Sequence, residues 1–215
     1  MKTEDFIEML STNLEPAKGG QLRKTLFIAL AVAIGVVAAL CLTWAPLGMP
    51  IDAKSGGHFG FTAIALAFTL SLAAVGTSIL FRSARPGLSA RWPIVLVGVL
   101  SLVVVATAVI ALTALDSAVW KAMIFGGPWG MCLVCIPIFA GIPFVAFIWA
   151  LRKGAPTDLG LAGAVAGFVA GALGAAAVVV HQSGNSVPFI ALWYGGPVLL
   201  CTLVGGILGP RLLRW

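Results

Sequence analysis

The hydrophobic positions of this chain fall into six runs, at residues 26–45, 61–81, 92–114, 128–150, 159–180 and 189–210, separated by short polar or Gly/Pro-rich stretches. Each run has about 20 residues, the length a helix rising about 1.5 Å per residue needs to cross about 30 Å of hydrocarbon. Within a run the apolar positions are continuous and do not alternate every second residue. That pattern predicts membrane-crossing helices rather than barrel strands. The expected fold is all-α, a six-transmembrane helix bundle over residues 25–215.

Residues 1–24 follow a different pattern. Phe6, Ile7, Met9, Leu10 and Leu14 recur at helical spacing and form one apolar stripe. Thr3 stands where an N-cap belongs, and Glu4 and Asp5 occupy the first turn, where the helix dipole favours negative charge. Glu15 precedes Pro16 and so avoids the α region, which ends the helix. Ala17-Lys18-Gly19-Gly20 then makes a joint before the first run. The expected organisation is a short cytoplasmic N-terminal amphipathic helix and hinge, followed by the bundle. Helices that lie on a membrane surface usually present Lys and Arg to anionic lipid. This one presents Glu4, Asp5 and Glu8, which the same surface repels. The stripe therefore suits a groove on another protein, and Glu4, Asp5, Phe6, Ile7, Met9, Leu10 and Leu14 are the candidate partner-binding residues. The alternative is an interfacial helix resting on membrane lipid of the inner leaflet.

Composition agrees with the pattern. Hydrophobic residues make up 60% of the chain and charged residues 9%, with a mean hydropathy of +1.10, whereas soluble domains carry about 25% charged residues. The first run is expected to remain attached rather than act as a cleaved signal peptide, because an acidic segment with Glu4, Asp5, Glu8 and Glu15 precedes it. Placing the N-terminus inside puts Lys2, Lys18, Arg23, Lys24, Arg82, Arg85, Arg91, Arg152, Lys153, Arg211 and Arg214 on the inner side. Only Lys54 and Lys121 remain outside. This bias predicts cytoplasmic N- and C-termini in a bacterial inner membrane. The net charge of +6 is then a topology signal and calls for no direct nucleic-acid partner.

Candidate chemistry is sparse. No Asp, Glu, Lys or Arg sits at the middle of a run, where ion-coupled transporters keep buried ionisable groups. Nucleotide-binding and zinc-protease motifs are missing as well, so neither an enzyme nor a cofactor is expected. Cys132 and Cys135 lie three apart, on one helix face near the outer end of the fourth run, and His181 lies at similar depth at the end of the fifth. Two thiols and an imidazole suit a soft metal or an oxidant, which makes these three the candidate sensing residues. The alternative is that both cysteines are small apolar fillers, and any metal is unknown. Gly163, Gly167 and Gly171 form consecutive GxxxG steps for close helix packing, either within one chain or across a homodimer. Rival readings are a small transporter or channel, which would need polar groups at mid-membrane, and a membrane thiol oxidoreductase working through Cys132 and Cys135.

The ends of the chain also carry a resemblance. MKTEDFIEML at 1–10 with Glu15-Pro16, LRKGAPT at 151–157, AGAVAG at 162–167, GALG at 171–174, His181, Pro188-Phe189, Trp193-Tyr194 and GPRLLRW at 209–215 together resemble the NrsF-type family of six-span negative regulators of sigma factors. The resemblance implies an inner-membrane anti-sigma factor. Such a protein holds an extracytoplasmic-function (ECF) sigma factor at the membrane and releases it on envelope, metal or oxidant stress. It also implies a cysteine directly after the histidine, where this chain has Gln182. Cys132 fits the family's fourth-span cysteine, and Cys135 is the nearest substitute partner for it.

Overall fold

The computed structural model describes residues 20–44, 59–83, 91–127, 129–154, 156, 158–181 and 186–214. They form α1 (Gly20–Trp44), α2 (Phe59–Ser83), α3 (Arg91–Thr113), α4 (Ser117–Phe125), α5 (Trp129–Arg152), α6 (Leu159–His181), α7 (Val187–Trp193) and α8 (Gly195–Leu212), with no strand among them. Six helical stretches are long and apolar enough to cross a membrane. Segment 1–19, including Glu4, Asp5, Phe6, Ile7, Met9, Leu10 and Leu14, lies outside the described residues.

The bundle is organised around α6. Within the candidate spans 83% of α6 is buried, against 6% of α3 at the periphery. Composition explains the difference. Gly and Ala alternate along α6, so its surface lies close to its own backbone and neighbours can approach from several sides. α8 packs most closely against it, then α5 and α2. A Cβ added at Gly174 would stand 2.6 Å from the Ile136 carbonyl of α5, and one at Gly76 of α2 would meet the Phe168 and Val169 side chains at 2.8 Å. By contrast, α3 carries large side chains such as Leu102, Val103 and Ile110 around its exposed faces.

Local sequence sets the helix ends. Asp158 Oδ1 accepts a hydrogen bond from the Leu161 N–H at 2.9 Å, the cap that its position before α6 predicts. Ser186 caps α7 by accepting from the Phe189 N–H at 3.3 Å. Hydroxyls inside the spans turn back on their own helices: Thr69 reaches Ala65 and Leu66, Thr77 reaches Ala73, and Thr202 reaches Val198. Thr69 is the buried polar side chain among the described residues, and none of their buried side-chain N or O atoms lacks a partner.

Two elements differ from the sequence expectation. The run 189–210 lies within one apolar helical stretch, Val187–Leu212, but is interrupted for a single residue at Tyr194 between α7 and α8, because Pro197 brings no N–H to bond the Trp193 carbonyl. The stretch after Asp116 forms a short helix, α4, rather than a plain connection. Val119, Trp120, Met123 and Ile124 sit at helical spacing there, with Lys121 as the sole charge inside the helix.

Candidate functional site

Contacts between helices fix which ends lie together. Phe27 and Phe81 pack with ring centroids 5.2 Å apart, so the start of α1 meets the end of α2. The Cys41 S–H points to the Ala177 carbonyl at 3.8 Å, which puts the late turns of α1 beside the late turns of α6. A Cβ at Gly163 would stand 2.5 Å from Gly209 Cα, so the start of α6 meets the end of α8. Arg152 Nε donates to the Leu212 carbonyl at 2.7 Å, which ties the end of α5 to the same place. One end of the bundle therefore gathers Arg23, Lys24, Arg82, Arg152, Lys153, Arg211 and Arg214. At the opposite end are Asp116, Lys121, α4, α7 and the first turns of α5.

At the basic end, cations stand over aromatic rings. Arg23 lies 5.5 Å from the Phe27 ring centroid, and Lys153 Nζ 3.9 Å from that of Trp149. Such stacking holds a charged head at the rim of an apolar surface. The N-terminal segment joins the bundle here, immediately before Gly20.

At the other end, Cys132 and Cys135 occupy the first two turns of α5, with relative exposures of 0% and 8%. Both belong to the packed core, together with Ile136, Phe139 and Val178. His181 is the last residue of α6. Among the described residues no group of three His, Cys, Asp or Glu side chains is placed to hold a metal ion. The remaining cysteines are elsewhere, Cys41 against α6 and Cys201 on α8, and no disulfide joins any of the four.

Sequence reading did not anticipate the aromatic cluster at this end. Trp129 and Trp193 have ring centroids 5.1 Å apart, and Phe125 meets them at 6.1 and 5.7 Å. Trp193 Nε1–H donates to the Ile124 carbonyl at 2.8 Å, and the Ser186 O–H donates to the Met123 carbonyl. These bonds pin the last turn of α4 to α7. Three aromatic residues flanking the run boundaries, the belt positions of a membrane protein, were the available signal.

Gly163, Gly167 and Gly171 face α8. A side chain at Gly163 would run into the Gly205 carbonyl, one at Gly167 into the Cys201 carbonyl, and one at Gly171 would stand 3.1 Å from Cys201 Cβ. Reciprocally, a side chain at Gly209 would stand 2.5 Å from the Leu159 carbonyl. The stripe is used within one chain, against Gly205 and Gly209 of α8.

The sequence profile described as NrsF, negative regulator of sigma F, matches residues 10–215. The chain belongs to the NrsF family. It is 30% identical over 215 residues to a protein of Azospira oryzae named probable anti-sigma-F factor NrsF, covering all of both chains. It is 34% identical over 221 residues, again covering all of both chains, to a protein of Caulobacter vibrioides named anti-sigma-F factor NrsF. No solved structure matches. For an NrsF-family chain, the features that stand out are a basic end where the N-terminal segment joins and a cysteine-bearing end on the other side of the bundle.

Proposed function

We propose that this chain is a membrane-embedded anti-sigma factor that sequesters an ECF sigma factor through its N-terminal segment and releases it on envelope, metal or oxidant stress. Membership of the NrsF family carries the reading. The bundle is then multi-pass in a bacterial inner membrane, with the basic end and both termini in the cytoplasm. Gathering of Arg23, Lys24, Arg82, Arg152, Lys153, Arg211 and Arg214 at one end supports this placement. Domains follow the same division: residues 1–24 meet the partner, and 25–215 anchor it. The role is regulatory and not enzymatic. A transporter reading lacks support, since Thr69 alone is buried and polar among the described residues. A thiol oxidoreductase needs an accessible thiolate, and Cys132 and Cys135 are buried.

The deciding experiment is affinity purification of the tagged full chain from its native cell. A sigma factor should come down with it at near-equal amount. Recovery of the intact membrane protein with no sigma factor, under conditions without stress, overturns the reading.

Topology gives a second prediction. A phosphatase fused after Trp215 should be silent and one inserted between Asp52 and Gly57 active, with a cytoplasmic reporter giving the reverse. The opposite pattern would put the basic end outside, where no sigma factor is found.

The sensing reading gives a third. Metal or oxidant acting on Cys132 and Cys135, with His181 at the same level, would change how α5 and α6 pack and shift the basic end between two arrangements. That requires the ligand to bind the two arrangements with different affinity. Replacing both cysteines by Ser should drop induction of sigma-dependent genes by soft metals and oxidants to the uninduced level. A hydroxyl at either site can bond its own helix carbonyls, as Thr69 does, so the fold should survive. Undiminished induction in the double variant would leave the two residues as core packing.

A further inference from the structure

A groove of about 790 Å³ runs between α1 and α5 and opens laterally from the bundle. Ile28 and Val32 line it from α1, and Ile142, Val145 and Trp149 from α5. Gly141 contributes to its depth: a Cβ there would meet nothing within 4 Å. From Ile138 to Trp149 the groove follows α5 for about 16 Å of helix rise. That is close to half of a hydrocarbon core of about 30 Å, the reach of acyl chains from one leaflet.

Its charges are one-sided. Lys24 lies one turn before Ile28 on the same face of α1, and is exposed. Lys153 Nζ stands 3.9 Å from the Trp149 ring centroid, at the corresponding end of α5. Both lysines thus lie at the basic end of the apolar channel, and Trp149, half-exposed, stands near the same end, where aromatic rings mark a membrane–water boundary. The groove itself holds no charged residue.

We propose that this groove binds an anionic glycerophospholipid of the leaflet at the basic end, with acyl chain along Ile142, Val145 and Trp149 and phosphate between Lys24 and Lys153. The apolar channel takes the chain by exclusion of other polar matter, and the two lysines select a net negative headgroup over a zwitterionic one. Bound lipid bridges the start of α1 to the end of α5. The proposal rests on the membrane placement argued above, but not on the identity of the protein partner.

The test is native mass spectrometry of the detergent-solubilised full chain, titrated with phosphatidylglycerol and separately with phosphatidylcholine. The wild type should bind phosphatidylglycerol in preference. K24A/K153A should bind it about 30-fold more weakly, while phosphatidylcholine, whose choline cation offsets its phosphate, should lose much less. G141L, which fills the groove, should weaken both. The paired lysines are exposed, so their removal leaves the fold intact even where the leucine variant does not fold. Equal binding of the two lipids by the wild type, or unchanged phosphatidylglycerol binding by K24A/K153A, overturns the site. A mass of two chains that G141L returns to one would assign the groove to a second copy and overturn it as well. No sigma factor is present in this experiment, so loss of lipid selectivity leaves the capture reading standing, and failed capture with selectivity retained leaves the lipid site standing.

Discussion

Replacing Gly163 or Gly167 by valine should prevent the bundle from forming as a stable unit. In either case the new Cβ would collide with a backbone carbonyl of α8, that of Gly205 or of Cys201, and no rotamer change relieves a clash with backbone. α6 and α8 must then separate along the closest helix contact among the described residues. Separation also disturbs α5 and α2, because α6 is the element they share. Overpacking a tight site costs about 1–3 kcal/mol where neighbours can shift, and on the order of 3 kcal/mol or more is expected here, where they are backbone. Gly206 is the internal control. A Cβ there meets Ala164 Cβ at 3.5 Å, an ordinary contact, so Gly206→Ala should be close to neutral. Size-exclusion of the detergent-solubilised protein after stepwise heating reads the difference. G163V and G167V should aggregate at temperatures where wild type and G206A remain monodisperse. Equal heat resistance of all four would mean that α6 and α8 are not in this close contact.

That stripe also shows what a membrane sequence can and cannot reveal. GxxxG spacing announces a close approach of two backbones but does not name the partner: Gly163, Gly167 and Gly171 read first as packing within one chain, with a dimer face as the alternative. The answer lay in a second, weaker GxxxG pair, Gly205 and Gly209, which the fold brings opposite the first. Spans were legible because hydrocarbon imposes a length and forbids charge, and both conditions are local in sequence. Which face of each span turns inward was not legible. In water a buried face is apolar and an exposed face polar, whereas in lipid both are apolar. Val178 on α6 is buried and Val103 on α3 is exposed; only the small residues of α6, and not any polar face, distinguish their helices.

The same lack of contrast hid the surroundings of Cys132 and Cys135. Their spacing placed them on one face of α5, but a packed face and a lipid-facing one carry the same residue types. α4 was missed for a related reason: an amphipathic nine-residue helix beside a long apolar run reads as the run's approach. The interruption at Tyr194, in contrast, was written in the sequence. Pro197 costs one helical hydrogen bond and interrupts the helix for a single residue, which continuous hydropathy conceals because glycine and proline are tolerated in membrane helices.

Deleting residues 2–14 should abolish sigma-factor capture while the bundle still inserts and purifies normally. At the helical spacing the sequence predicts, Phe6, Ile7, Met9, Leu10 and Leu14 would form an apolar stripe with Glu4, Asp5 and Glu8 as its flanking charges. An anionic inner leaflet repels such a helix, so lipid is a poor cover for the stripe and a protein groove a better one. A buried aromatic or aliphatic anchor at the centre of an interface is worth about 2 kcal/mol or more, so Phe6→Asp or Leu10→Asp alone should weaken capture roughly 30-fold. Reversing the sign of the polar face with E4K/E8K should act differently. The apolar anchors remain, so capture persists at reduced strength; if the acidic face meets a basic surface, attraction becomes repulsion and added salt should then strengthen rather than weaken capture. Two measurements separate these effects: immobilised full chain in detergent against the purified sigma factor across a salt series, and a sigma-dependent reporter in cells. The deletion should give full reporter activity without stress, F6D and L10D high activity, and E4K/E8K an intermediate level. Capture of normal strength by the deletion variant would move the binding surface to the basic end of the bundle, where Arg82, Arg152 and Arg211 would then be the residues to replace.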